Sequence, residues 1–539
     1  MSVTVQLKHQ PWAAATARLA LACVTGLVVL WCIASFWFPY GWDQGMFASM
    51  GDVIVRGGMP YRDGWELRGP LAFYVFALGE WLFGRHMWSV HVFDLPLLVA
   101  ASIAVGSLVA RITSRRTGYW AGLTLILWFA SLTWFHMVEP DLWTSLLFAL
   151  ALIPLFESGA SLRRLVISGF IVGCTAVIKP FNIVLLAVPL FYLFQERRTR
   201  KAWIIQGATI IGAAAAPALG ALAWFAFKGA FKELIEVHLL YNFRVYGRVQ
   251  HPGIRAELRG MARFFLARPL LFAFPVILIG IYSLWRKRRN AAVIVLAWTS
   301  LALLCVAVQG KFFVYHWALL FPPLTILGSI GFDAVRRPWR DRKQLDLPWF
   351  FRTAALVLAL AGVLQLALAS ASSIALWAKF ITGRIDSRQY YSAHRVDTRW
   401  VAADEMDAAA YIRARTSASE GMVVFGDDTL LNFLSGRANP TRFLTGGALT
   451  LGGPGSPRDV YRREYMGGLQ KTPPAYLIVG KPYGAPGKER ALRDFPELAA
   501  FLRHSYSLEA QFGNLDLYRL NRAAAHANAE NKRNWLNRN

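Results

Sequence analysis

The stretch GWDQGMFASMGDVIVRGGMPYRDGWELRGPL, from Gly41 to Leu71, sets Asp43, Asp52, Asp63 and Glu66 among Arg56, Arg62 and Arg68, directly after a long apolar run. A carboxylate facing a cleft can take the proton from an attacking hydroxyl. A cation opposite it can hold an oxygen that gains charge as a bond breaks. Three further stretches carry the same residue types. HMVEPDLW brings Glu139 and Asp141 between two apolar runs, and GCTAVIKPFN brings Lys179 next to a helix-breaking proline. GKFFVYHW brings Lys311 and His316 to the start of another run. Lysine and histidine both suit a phosphate oxygen through charge-assisted hydrogen bonds. The stretch YNFRVYGR supplies Tyr241, Arg244 and Arg248, which with Asp63 are expected to meet an acceptor or neighbouring loops. Together these residues describe one cleft, with carboxylates at one pole and cations at the other.

Each stretch also has a structural alternative. Asp43 suits the cap of a short helix. Glu139, Pro140 and Asp141 suit the start of the next helix. Lys311 beside Tyr315 and Trp317 suits a snorkelling lysine in an aromatic belt at headgroup level. Other chemistries lack their motifs: the chain has no Gly-rich Walker loop, no HExxH zinc motif and no GxSxG nucleophile elbow.

The elements that must position these residues are membrane helices. The 539-residue chain is 55% hydrophobic and 17% charged, against about 25% charged in soluble domains. About eleven apolar windows of roughly 17–25 residues predict spans near 15–38, 88–110, 118–136, 142–157, 163–179, 181–195, 203–228, 264–284, 290–309, 314–333 and 350–376. The first is too long for a signal-peptide core and is read as a retained helix. The net charge of +26 sits largely in the short loops RITSRR, SLRR, QERRTRK, WRKRRN and RRPWRDRK. Basic short loops mark the cytoplasmic side and attract anionic lipid headgroups, which argues for topology rather than nucleic-acid binding. The N-terminus is then cytoplasmic, and residues 39–87, 229–263 and everything after about 377 lie outside. Met46, Phe47, Met50 and Ile54 share one face at helical spacing, predicting an amphipathic helix in the membrane interface. The four cysteines, Cys23, Cys32, Cys174 and Cys305, fall in or beside apolar windows, so no disulfide framework is expected.

From about residue 400 the pattern changes. DEMDAAAYIRART and PELAAFLRHSY read as helices; EGMVVFGD, PPAYLIVGK and LDLYRL read as short strands bounded by turn residues. The fold class expected is therefore an α-helical polytopic membrane protein, residues 1–376, with a C-terminal extracytoplasmic α/β domain, residues 377–520. The polar tail 521–539 lacks periodicity and is expected to be disordered.

The succession YGWDQGMFASMGDVIVRGGMPYRDGWELRGPL, IKP, YNFRVYG and GKFFVYH resembles the GT-C superfamily of polyprenyl-phosphate-dependent glycosyltransferases. Its nearest flavour is the branch of the protein O-mannosyltransferases and the lipid A aminoarabinose transferase. FLSGRANPTRF, in the C-terminal region, is similar to a further block. The resemblance implies a sugar donor on a polyprenyl phosphate, taken from the bilayer of a bacterial inner membrane. It implies a glycan, lipid or protein acceptor on the outer side, and inversion at the sugar carbon. It casts Asp43 as the catalytic base, Glu139 or Asp141 as a second acidic position, and Lys311 and His316 as donor-phosphate contacts. Arg68 stands where that branch carries a lysine in KGPL. Arg68 and Lys179 complete the cationic pole. Some relatives use a divalent metal, to which Glu139 and Asp141 would contribute; the clustered carboxylates are too few for the sequence to assign one. A transporter or flippase of a lipid-linked sugar is the rival reading. It fits less well, because the ionisable groups gather at one face and no inverted repeat is visible.

Overall fold

Each of the eleven apolar windows is helical in the computed structural model, which describes residues 11–158, 161–196, 199–249, 253–336, 348–396, 400–453 and 455–521. Seven of these helices are long and apolar enough to cross a membrane. They are α1 (Pro11–Ser35), α4 (His91–Ile112), α9 (Arg200–Phe227) and the helices covering Arg268–Lys287, Arg289–Gln309, Val314–Arg336 and Trp349–Ile381. The other four windows are shorter or interrupted: α5 (Arg115–Ala130), α6 (Pro140–Ser158), α7 (Leu162–Ile178) and the segment 180–195. That segment opens as a 3-10 turn, Pro180–Leu186, and becomes α8 (Ala187–Gln195). Pro180 forces the change: it cannot donate the backbone hydrogen bond that would continue α7. The chain is a helical, multi-span membrane protein.

The spans pack closely where side chains are smallest. α7 lies against α6 and α9, and α4 against α5 and α6. The helix Arg268–Lys287 crosses Phe321–Arg336 at Gly280 and Gly331, where an added Cβ would collide with the carbonyls of Leu327 and Val276. In lipid such backbone approach replaces the hydrophobic drive that is absent between helices.

Between α1 and α4 the chain forms two short helices, α2 (Trp42–Val55) and α3 (Pro70–Phe83). α2 corrects the sequence reading. It does not float in the interface with one wet face, because Gln44 through Asp52 are all buried. The reason is the C-terminal region, which roofs it: Ser49 donates to the Thr429 carbonyl at 2.7 Å, and Trp65 N–H donates to the Arg442 carbonyl at 2.5 Å.

The C-terminal region is an α/β unit. β1 (Arg395–Val396) and β2 (Trp400–Val401) form a small ribbon. β3 (Met422–Phe425), β4 (Tyr476–Val479), β5 (Tyr506–Phe512) and β6 (Leu515–Leu520) form a sheet in the order β3-β4-β6-β5, with only β3 and β4 parallel. The expected strands are β3, β4 and β6; β5 and the helix Pro457–Lys471 lie where no element was expected. One hydrophobic cluster runs unbroken from Trp31 and Phe47 through Trp65 to Phe425 and Tyr461. The predicted tail 521–539 lies outside the described residues beyond Asn521.

Candidate active site

Asp43 sits in the first turn of α2, facing the space between the spans and the roof. Its Oδ1 accepts from Arg68 Nη2 at 2.7 Å and its Oδ2 from the Tyr315 hydroxyl at 3.1 Å. Arg68 forks, giving Nη1 to Glu66 Oε1 at 2.9 Å, and its guanidinium lies 5.6 Å from the Phe47 ring centroid. Gly69 fixes where Arg68 can be. An added Cβ there would collide with the carbonyl oxygens of Val177 and Ile178, at the end of α7. The same end of α7 carries Lys179, whose ammonium donates to Asp141 and, at 2.9 Å, to Gln309 Oε1. One backbone contact thus fixes the chain next to both cations.

Below Asp43, Gln44 Nε2 donates to the carbonyls of Phe135 and Met137 at 3.0 and 2.8 Å and to Glu139 Oε1 at 3.0 Å. Burial first, then the Asp43 charge, pushes Glu139 well above the usual carboxylate range. Burial likewise raises Glu66, against the pull of Arg68. Exposure separates the acids. The Asp43 side chain is 27% exposed, against 2% for Glu66 and 5% for Asp141, while Glu139 is buried. Of these four, Asp43 alone is open to a group arriving from outside.

Lys311 closes the cationic pole. Its Nζ lies 2.7 Å from the Tyr246 ring centroid and has no hydrogen-bond partner among the described residues. Burial, with Arg68 and Lys179 nearby, lowers its pKa to about 7. His316 is buried against Tyr315, with ring centroids 4.8 Å apart, and its Nδ1 has no hydrogen-bond partner among the described residues. The aromatic-belt alternative fails here: Tyr315 and Trp317 are buried inside the protein rather than presented to lipid. Three non-glycine residues at positive φ, Tyr61 (70°), Val138 (60°) and Phe312 (49°), adjoin this cluster. Tyr61 donates to the Arg68 carbonyl at 2.7 Å, and the other two precede Glu139 and follow Lys311. Such backbone strain gathers at functional sites.

The remaining expected residues stand elsewhere. Asp63 accepts Met59 N–H at 2.7 Å and pairs with Arg62, closing a turn. Tyr241 packs edge-on to Trp65 at 4.9 Å, inside the contact with the roof. Arg244 and Arg248 are exposed on the segment Leu234–Tyr246 and just after it. Among the described residues no three His, Cys, Asp or Glu side chains are placed to hold a metal ion. Glu139 and Asp141 are engaged by Gln44 and Lys179. The residues do not fit a divalent metal, and no step below passes through one.

Four participants were missed by the sequence reading. Gln44, Tyr246 and Tyr315 lie inside the stretches already singled out, next to the residues chosen. Asp427 does not. It follows β3, and burial, then Asp428 beside it, pushes its carboxyl up to about 8. Tyr483, whose backbone N–H it accepts, stacks near Tyr246 with ring centroids 6.3 Å apart. Nothing in the local sequence ties that acid to a cleft built by the spans.

Comparison with known proteins agrees with this fold. ArnT from Cupriavidus metallidurans in the apo state superposes with a TM-score of 0.61 at 14% identity, over 94% of this chain and 98% of that one. The same protein bound to undecaprenyl phosphate gives 0.60 at 16% identity, over 94% and 98%. The chain has the GT-C fold. The Archaeoglobus fulgidus oligosaccharyltransferase in its apo form shares the GT-C fold more distantly, with a TM-score of 0.50 and 13% identity over 92% of this chain and 74% of that one. The family model for dolichyl-phosphate-mannose-protein mannosyltransferase matches residues 67–224, from the residue before Arg68 into α9. No curated protein is significantly similar to the chain in sequence.

Proposed function

We propose that the protein is an integral-membrane glycosyltransferase that moves a sugar from a polyprenyl phosphate to an acceptor hydroxyl on the extracytoplasmic face of a bacterial inner membrane. The observation that carries this reading is the pairing of one partly exposed carboxylate, Asp43, with a bank of half-buried cations, Arg68, Lys179 and Lys311. Asp43 takes the acceptor proton as the acceptor oxygen bonds to the sugar's anomeric carbon. The bond from that carbon to the phosphate oxygen breaks on the opposite side, so the centre inverts. The departing lipid phosphate gains charge and is met by the cations, a stabilisation often larger than that of the base. Arg68 is bound to Asp43, so donor phosphate competes for it. Glu139 is buried below Asp43 and held there by the hydrogen bond that its Oε1 accepts from Gln44. The basic short loops support the orientation, and the undecaprenyl phosphate bound to the ArnT structure supports the donor class.

Undecaprenyl phosphate itself is the probe. The protein in nanodiscs is expected to bind it saturably, and replacing Lys179 and Lys311 together by Met is expected to weaken binding at least about tenfold. Equal binding by both forms would remove the cationic pole from the account.

A further inference from the structure

The helix Ile254–Phe265, sequence IRAELRGMARFF, lies between the end of α9 and the span Arg268–Lys287. Chain continuity therefore holds it at the membrane surface on the side of the cleft. At 100° per residue, Ile254, Leu258, Met261 and Phe265 fall within about 60° of one another, while Arg255, Arg259 and Arg263 form a second stripe about 130° away. A third face meets the protein: Phe264 stacks on Trp317 with ring centroids 4.0 Å apart, and Gly260 lies against the Phe312 ring. Phe312 follows Lys311, so this helix forms the lip of the cleft.

On the apolar stripe Met261 and Phe265 pack against the protein core, while its Ile254–Leu258 end and the arginine stripe are open. Ile254 and Leu258 are 73% and 59% exposed, and Leu266 just beyond is 64% exposed. The three arginines are exposed and form no ion pair among the described residues; Arg259 Nε reaches only the Arg255 carbonyl of its own helix, at 3.3 Å. Glu257 is the helix's one acid by sequence. An apolar stripe beside a basic stripe, at this depth, matches acyl chains below and anionic phosphates above.

We infer that the helix Ile254–Phe265 is a docking surface for anionic phospholipid headgroups of the leaflet facing the cleft. The arginine stripe binds headgroup phosphates while Ile254 and Leu258 enter the acyl boundary. The bound lipids thereby line the mouth next to Lys311. This is separate from the donor site and stands without the glycosyltransferase reading.

The test uses the full chain in nanodiscs of phosphatidylcholine with phosphatidylglycerol. In a background with the four native cysteines replaced by alanine, a bimane label on Leu258→Cys is expected to be quenched by lipids with spin-labelled acyl chains. The same label on Arg259→Cys is expected to be quenched several-fold less. Equal quenching at the two positions overturns the placement. In the second arm, native mass spectrometry counts phosphatidylglycerol retained after detergent extraction. Each charge near an anionic surface contributes roughly fivefold to lipid affinity. The variant R255Q/R259Q/R263Q is expected to lose at least about tenfold, while the matching lysine variant retains most of it. Undecaprenyl phosphate binding in the cleft is expected to be unchanged by the glutamine variant. Unchanged phosphatidylglycerol retention in that variant overturns the inference, as does retention lost through K311M alone.

Discussion

Asp43 keeps a free lone pair on each oxygen even with Arg68 and Tyr315 bound, because an ionised carboxylate offers about four acceptor sites. It can therefore take a proton without first shedding its partners. Asp43→Asn removes the base and keeps the shape, and is expected to lower turnover about 10²–10⁴-fold. Tyr315→Phe removes only one orienting bond and is expected to cost less than tenfold in turnover, with donor binding intact. Lys311 gives a pH signature. Its folded pKa is depressed to about 7, so without a bound anion its charge is lost as pH rises through 7. A bound phosphate restores that charge, so binding takes up a proton above pH 7. Donor KM is expected to rise above about pH 7 by up to tenfold per unit, and K311M is expected to flatten that rise. The sign for stability follows: the buried charge burdens the fold most below pH 7, so K311M should raise the thermal midpoint more at pH 6 than at pH 9.

At the scale of elements, one backbone contact fixes the chain next to Arg68 and Lys179. Gly69→Ala drives a Cβ into the carbonyls at the end of α7, where overpacking costs about 1–3 kcal/mol. The expected result is a lower thermal midpoint together with weaker donor binding, since Arg68 and Lys179 are pushed apart; thermal shift and undecaprenyl phosphate titration on one sample read both. Much at this scale was legible. Asp43, Arg68, Lys179 and Lys311 stood out because charged groups at membrane ends are costly, and the cleft gathers all four. Legibility failed where tertiary packing decided. The period of Met46, Phe47, Met50 and Ile54 described a one-sided helix, yet α2 is covered on both sides. Tyr315 looked like a belt residue because its type and depth suited one, and only the fold turns its hydroxyl onto Asp43.

At the scale of the whole molecule, the division near residue 377 marks a change of composition rather than a gap in the core. Tyr461 donates to Glu236 Oε1 at 3.0 Å, Arg442 donates to the Tyr61 carbonyl at 3.0 Å, and Trp65 packs on Tyr461. Removing residues 386–539 would bare the covered face of α2. The shortened chain is expected to aggregate on size-exclusion chromatography in detergent; a monodisperse peak would show instead that the spans fold without their roof. Composition and hydropathy revealed both halves of the fold, including β3, β4 and β6. They could not reveal that Asp427 reaches the cleft, because that juxtaposition joins residues almost 400 positions apart.

The most direct test of the central claim is lipid analysis of the native host with the gene deleted, then complemented with the wild-type or Asp43→Asn form. Deletion and the Asp43→Asn strain are both predicted to accumulate one sugar-linked polyprenyl phosphate and to lose that sugar from an envelope acceptor, with wild type restoring both. Full rescue by Asp43→Asn would contradict the account and leave Asp43 as a structural partner of Arg68 and Tyr315.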